Sequence, residues 1–160
     1  MQNERKNKVR LVIDTDLGCD SDDALALALA CRLHGRGKTQ LAAITCATAR
    51  PAAPAAAAAI AAYYGVRPPI GRLTEKLSCD ELDYYNRQLA DGTTVETEES
   101  VALMKRILDE GEAVIAAIGP LTAVARLLQE RPQAENLRAL YIMAGRFDAD
   151  RAEWNVLLNV

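Results

Sequence analysis

Four short apolar runs dictate the architecture of this chain. VRLVID (9–14), QLAAITCA (40–47), AVIAAIG (113–119) and LRALYIMAG (137–145) are aliphatic and bounded by polar or glycine-containing stretches. Their length and composition suit buried strands. VRPPIG (66–71) reads as a shorter strand or an edge piece. Helical patterns fall between the runs, over 21–34, 51–65, 98–111 and 120–132. Strands that alternate with helices build a parallel sheet covered on both faces. The expected fold is therefore α/β, an open and mostly parallel Rossmann-like sheet. No internal repeat or linker interrupts residues 1–160, so a single domain is expected.

Individual segments refine this picture. The pattern ALALALACRL is apolar nearly all round, which predicts a largely buried first helix. Ser21 is its expected cap, with Asp22 and Asp23 in its first turn. Prolines open the alanine-rich second helix and Gly65 closes it. Residues 72–95 are polar and without a clear period; Tyr84 and Tyr85 there suit a lid or an interface. LYIMAG is expected as a central strand, with a further helix and strand beyond Val160. Without them an apolar edge would be exposed, which predicts a homo-oligomer.

Composition narrows the partners. A net charge of −3 over 160 residues gives no footprint for nucleic acid or an anionic membrane. The N-terminus has no apolar signal segment, and no run is long enough to span a bilayer. Cys19, Cys31, Cys46 and Cys79 lack paired spacing and read as reduced, mostly buried thiols. A cytoplasmic protein is expected.

The chemistry concentrates in IDTDLGCDSDD, where the first strand hands over to the first helix. Five carboxylates (Asp14, Asp16, Asp20, Asp22, Asp23) fall within ten positions. A helix N-terminus offsets roughly 0.3–1 kcal/mol of such repulsion. A hard divalent cation bound through oxygen is the natural partner. A solvated, capped turn is the bland alternative. An EF-hand is a poor fit, because Gly18 and Cys19 stand where that pattern wants an acid and a glycine. A phosphatase-like hydrolase with Asp14 as nucleophile is a further reading, although Gly18 departs from its usual pattern. A receiver domain would need an Asp after the third strand, and none follows VRPPIG closely.

IDTDLGCDSDDALALALA resembles the signature D-T-D-x-G-x-D-D-A-x-A of the inosine-uridine-preferring nucleoside hydrolases, with two extra residues before the paired Asp. LAAITCA, AAIGPLTAVARLL and YIMAG followed by AEWNVLL resemble further stretches of that family, in its order. The resemblance implies a nucleoside-hydrolase-type sheet and Ca²⁺-dependent hydrolysis of the N-glycosidic bond of a ribonucleoside, as in purine or pyrimidine salvage. Ca²⁺, or alternatively Mg²⁺, would be held by Asp16, Asp23 and the carbonyl of Ile118. Asp16 would take the proton of the activated water. Asp22, Glu153 and Asn155 would hold the ribose, Met143 would line the pocket, and Asp14 would orient the loop from behind.

The chain also departs from the family pattern. Ala49 or Arg50 stands where the family has an asparagine after the second strand, and Ala123 replaces the Asn of G-P-L-T-N. The family pattern continues beyond the match to Val160, with another Asp ligand and often a His that protonates the leaving base. His34, the one histidine, ends the first helix and reads as a structural residue. Asp20 has no counterpart in the signature. Trp154 suits base stacking or hydrophobic anchoring. These departures keep open an alternative, a catalytically impaired metal- and sugar-binding relative or an assembly partner.

Overall fold

The computed structural model describes residues 8–77, 83–145 and 153–157. Six strands form one parallel sheet in the order β4-β3-β2-β1-β5-β6. They are β1 (Val9–Thr15), β2 (Thr39–Cys46), β3 (Ile70–Arg72), β4 (Thr97–Glu99), β5 (Ala113–Ala117) and β6 (Leu137–Ile142). The helices are α1 (Asp22–Gly35), α2 (Ala53–Tyr63), α3 (Asn86–Ala90), α4 (Ser100–Asp109), α5 (Thr122–Glu130) and α6 (Trp154–Leu157). None is long and apolar enough to cross a membrane.

Alternation along β1 divides the interior between the two faces of the sheet. Val12 belongs to a cluster with Leu103, Met104 and Ile107 of α4 and Leu127 of α5. Ile13 belongs to the opposite cluster, with Leu27 and Cys31 of α1 and Ala57 of α2. The small alanines of α2 pack there without side-chain bulk; Ala53, Ala56 and Ala57 are fully buried.

Several local expectations change. Leu25 and Leu29 of α1 are mostly exposed, so that helix buries one side only. Ser21 makes no side-chain cap; its carbonyl accepts from Leu25 N instead. β4 was hidden in the start of an expected helix, where Glu99 now caps α4 by accepting from Ala102 N at 2.9 Å. Among the described residues β6 pairs with β5 alone, the exposed apolar edge expected of LYIMAG without a further strand. Tyr141 and Ile142 are exposed there.

The strand order reverses beside β1. From β1 the chain builds outward through β2, β3 and β4, then returns to place β5 on the other flank. In open α/β sheets a crevice forms at such a switch point, beyond the carboxyl ends of the strands. The acidic turn after β1 and the Ile118–Gly119 turn after β5 both lie at that end.

Candidate functional site

The acidic turn begins where β1 is held on both flanks. Ala47 N donates to the Thr15 carbonyl at 2.8 Å, and Ile118 N to the Asp14 carbonyl at 2.8 Å. Asp14 is fully buried, and one carboxylate oxygen accepts from Thr45 Oγ1 at 2.6 Å. Its other oxygen has no hydrogen-bond partner among the described residues. Burial, opposed by the Thr45 bond and aided by the charge of Asp16, pushes its pKa up to about 7. This is an acid behind the turn, supporting it from the sheet.

Asp16, Cys19, Asp20, Asp22 and Asp23 form one wall of a cavity of about 400 Å³. Met143, after β6, and Glu153 and Asn155, around the start of α6, complete it. Carboxylate oxygens of Asp20, Asp22 and Asp23 lie within 4.8 Å of one another. Asp16 lines the cavity but stands outside that closest group. Thr15 Oγ1 donates to Asp23 and accepts from Leu17 N at 3.2 Å, which fixes both the acid and the turn. Gly119 permits the β5 end to press against Asp16. A Cβ there would lie 2.7 Å from Asp16 N and 2.9 Å from its Oδ1.

The electrostatics report an excess of negative charge. Burial and then the charge of Asp16 raise the Asp23 carboxyl to about 8, against a hydrogen bond from Thr15. Burial also raises Asp16, while the Arg50 guanidinium pulls it down. A hydrogen bond to Asp22, with some burial, raises Asp20 to about 6. The same bond lowers Asp22. Buried carboxyls displaced upward in this way are only partly compensated by the one guanidinium beside them. Their oxygen-rich donor set, with an orphaned Asp14 oxygen behind it, fits a hard divalent ion. Cys19 is also raised, by burial and by Asp20, so its thiol is not an activated nucleophile.

The residues expected from the sequence are thus gathered, with differences in detail. Asp16, Asp22, Asp23, Met143, Glu153 and Asn155 share the cavity. Met143 is partly exposed in that wall rather than packed in the core. Ile118 and Asp14 do not line it. The Ile118 carbonyl accepts from Asn155 Nδ2 at 3.3 Å, and the same amide donates to the Met143 carbonyl at 2.9 Å. Asn155 therefore ties the ends of β5 and β6 together while bordering the cavity. His34 Nδ1 accepts from Leu41 N at 3.0 Å, a structural contact outside this cavity. Cys79 and the side chain of Trp154 lie outside the described parts.

Two contributors to this turn lay outside the expected site, Tyr84 and Tyr85 having suited a lid or an interface. Arg50 is fully buried, and its Nη1 donates to the Asp16 carbonyl and, at 3.1 Å, to the Leu17 carbonyl. Its only sequence signal was a cation standing where the family has an asparagine. The other is the segment 83–86. Tyr84 N donates to the Gly18 carbonyl at 2.8 Å, and Asn86 Nδ2 to the Leu17 carbonyl at 2.7 Å.

Comparison with known proteins agrees with this fold. The family model for inosine-uridine preferring nucleoside hydrolase matches residues 11–159. A Bacillus anthracis structure described as an inosine-uridine preferring nucleoside hydrolase superposes with a TM-score of 0.76 at 19% identity, covering 94% of this chain and 58% of that one. An inosine-guanosine nucleoside hydrolase gives 0.69 at 20% identity, covering 93% and 55%. A type III effector protein, XopQ, complexed with adenosine diphosphate ribose gives 0.73 at 17% identity, covering 89% and 44%. The chain thus spans a little over half the length of the first two. No match was found among curated protein sequences. With its signature acids gathered at the switch point of the matching sheet, this chain belongs to the inosine-uridine preferring nucleoside hydrolase family.

Proposed function

We propose that this chain acts in the Ca²⁺-dependent hydrolysis of the N-glycosidic bond of a ribonucleoside or related N-riboside. One observation carries the reading. In a chain of this family, the β1–α1 acids and Glu153 line a single cavity at the sheet's switch point. Asp16 and Asp23, which line the cavity, would hold the ion, and the Ile118 carbonyl would join them only by releasing its contact with Asn155. Ca²⁺ accepts such a mixed, flexible set of oxygens more readily than Mg²⁺, which demands near-octahedral geometry. When bound, the cation supplies Lewis-acid activation of water. Asp16 accepts the proton that the attacking water loses. Asp22 and Glu153 accept hydrogen bonds from ribose hydroxyls, which steadies the sugar as its anomeric carbon gains oxocarbenium character. Asn155 borders the same sugar face, and Met143 gives the ribose or base an apolar contact.

His34 is committed to Leu41, so it is not the acid for the leaving group. Asp14 lies fully buried behind the turn, a poor position for a phosphatase nucleophile.

The test combines binding and turnover. Calorimetric titration is expected to show Ca²⁺ binding by the wild type and not by Asp23→Ala. Hydrolysis of p-nitrophenyl riboside or of inosine should follow and stop in EDTA. Ca²⁺ binding without turnover of either substrate would instead favour a metal- and sugar-binding relative. Equal binding by Asp23→Ala would remove the metal reading.

We also propose self-association through the β6 edge, because Tyr141 and Ile142 are exposed on a strand that, among the described residues, is paired on one side only. Sedimentation at micromolar concentration should give a dimer or larger species. A single species at 17.3 kDa would count against it.

A further inference from the structure

The two extra residues of the acidic turn raise a mechanical question. A longer turn has more conformations to lose, so its acids need an external hold. That hold comes from a segment about 65 residues away in sequence. Tyr85 Oη accepts from Gly18 N at 3.2 Å and donates to the Asp20 carbonyl. A single hydroxyl thus bridges both sides of the turn that contains Cys19. Asn86 is fully buried and fastens the preceding residue through the Leu17 carbonyl at 2.7 Å. The fit is close. A Cβ on Gly18 would lie 2.3 Å from Asn86 Nδ2 and 2.9 Å from Asp83 Oδ1, and Gly18 has φ +125°. Beyond this hold, the Asp20 carboxylate reaches the Asp22 and Asp23 pair to within 4.8 Å.

The geometry points to Tyr85 as a positioning residue of the cation site: by fixing the Gly18–Asp20 turn, it brings the Asp20 carboxylate to the ion as an additional ligand. The inference rests on the cation reading above. Asp20 thereby acquires a role that the family signature does not give it. Tyr85 itself, half-buried against the second core cluster, does not line the cavity.

Calcium titration of the full chain tests this, with Tyr85→Phe, Asp20→Asn and the double variant measured together. Loss of an outer partner of a metal ligand weakens metal binding by about 10–100-fold. Tyr85→Phe is expected to weaken Ca²⁺ binding by about tenfold within that range. Because Tyr85 acts through Asp20, the double variant should bind no more weakly than Asp20→Asn alone, a non-additive cycle. Gly18→Ala drives the clamp open from the other side and should reproduce the loss, which covers the case of a poorly folding Tyr85→Phe. Wild-type affinity in Tyr85→Phe and Gly18→Ala, or losses that multiply in the double variant, would overturn the proposal while the wild type still binds Ca²⁺. A wild type that binds no Ca²⁺ overturns the cation reading, and this inference with it.

Discussion

Asp16→Asn is expected to lower riboside turnover by about 10²–10⁴-fold, the usual contribution of a positioned general base. The same substitution should raise the thermal midpoint of the protein at pH 8 in EDTA. Burial makes the ionised Asp16 unfavourable when no cation is bound, and an amide removes that charge at nearly constant volume. Activity and stability thus move in opposite directions, which ordinary structural damage does not produce. The pH dependence follows the same logic. Asp14, Asp16 and Asp23 all have folded pKa values above the unfolded 3.8. Such acids contribute stability that is fully present below 3.8 and lost as pH rises through about 7 for Asp14 and about 8 for Asp23. Asp22 is shifted downward and acts oppositely, but it is exposed and its effect is screened. Cation-free wild type should therefore lose stability from about pH 4 to 8. The gain on adding Ca²⁺ should be larger at pH 8 than at pH 5. Differential scanning calorimetry at both pH values checks this. A midpoint for Asp16→Asn below wild type in EDTA at pH 8 would contradict it.

Arg50→Leu is expected to cost about 3–5 kcal/mol of stability at pH 8, the cost of breaking a buried charge arrangement from one side. Arg50 joins two backbone carbonyls of the acidic turn and holds its positive charge beside Asp16. Leucine leaves those carbonyls short of a donor and the acids without their opposing charge. Arg50→Lys should recover only part of the loss, since a point charge cannot reproduce the guanidinium fork. Urea denaturation in EDTA and in excess Ca²⁺ measures both effects. The deficit should narrow with Ca²⁺, because a second cation then faces the same carboxylates. A loss below about 1 kcal/mol would place Arg50 among ordinary surface substitutions and refute the assignment.

The sequence made the centre of the fold legible and its periphery obscure. β1, β2 and β5 are near-continuous aliphatic runs because both faces of their sheet are covered. β4 is three residues, Thr97 and two glutamates, with no apolar pattern to detect. α1 looked buried all round because Leu25 and Leu29 are as aliphatic as Leu27, and only tertiary contacts separate them. The acids of the site were legible because the Asp-rich turn and the family signature coincide. Arg50, Tyr85 and Asn86 were not. Their partners are backbone atoms of Asp16, Leu17, Gly18 and Asp20, and a backbone partner leaves no mark in residue identity. The edge position of β6 among the described residues was legible only as a condition, because an aliphatic run does not say how many neighbours it will have.

That edge position divides the cavity into walls of unequal durability. The acidic wall hangs from β1, which is hydrogen-bonded along both sides by β2 and β5. The Met143 wall hangs from β6, which among the described residues is laced on one side only. Opening β6 breaks one ladder, whereas opening β1 breaks two, so the free energy of local opening is lower at β6. Amide protons of β6 should exchange with solvent sooner than those of β1. The acidic wall is therefore the stationary jaw of the cleft, and the Met143 wall is the jaw that gives way.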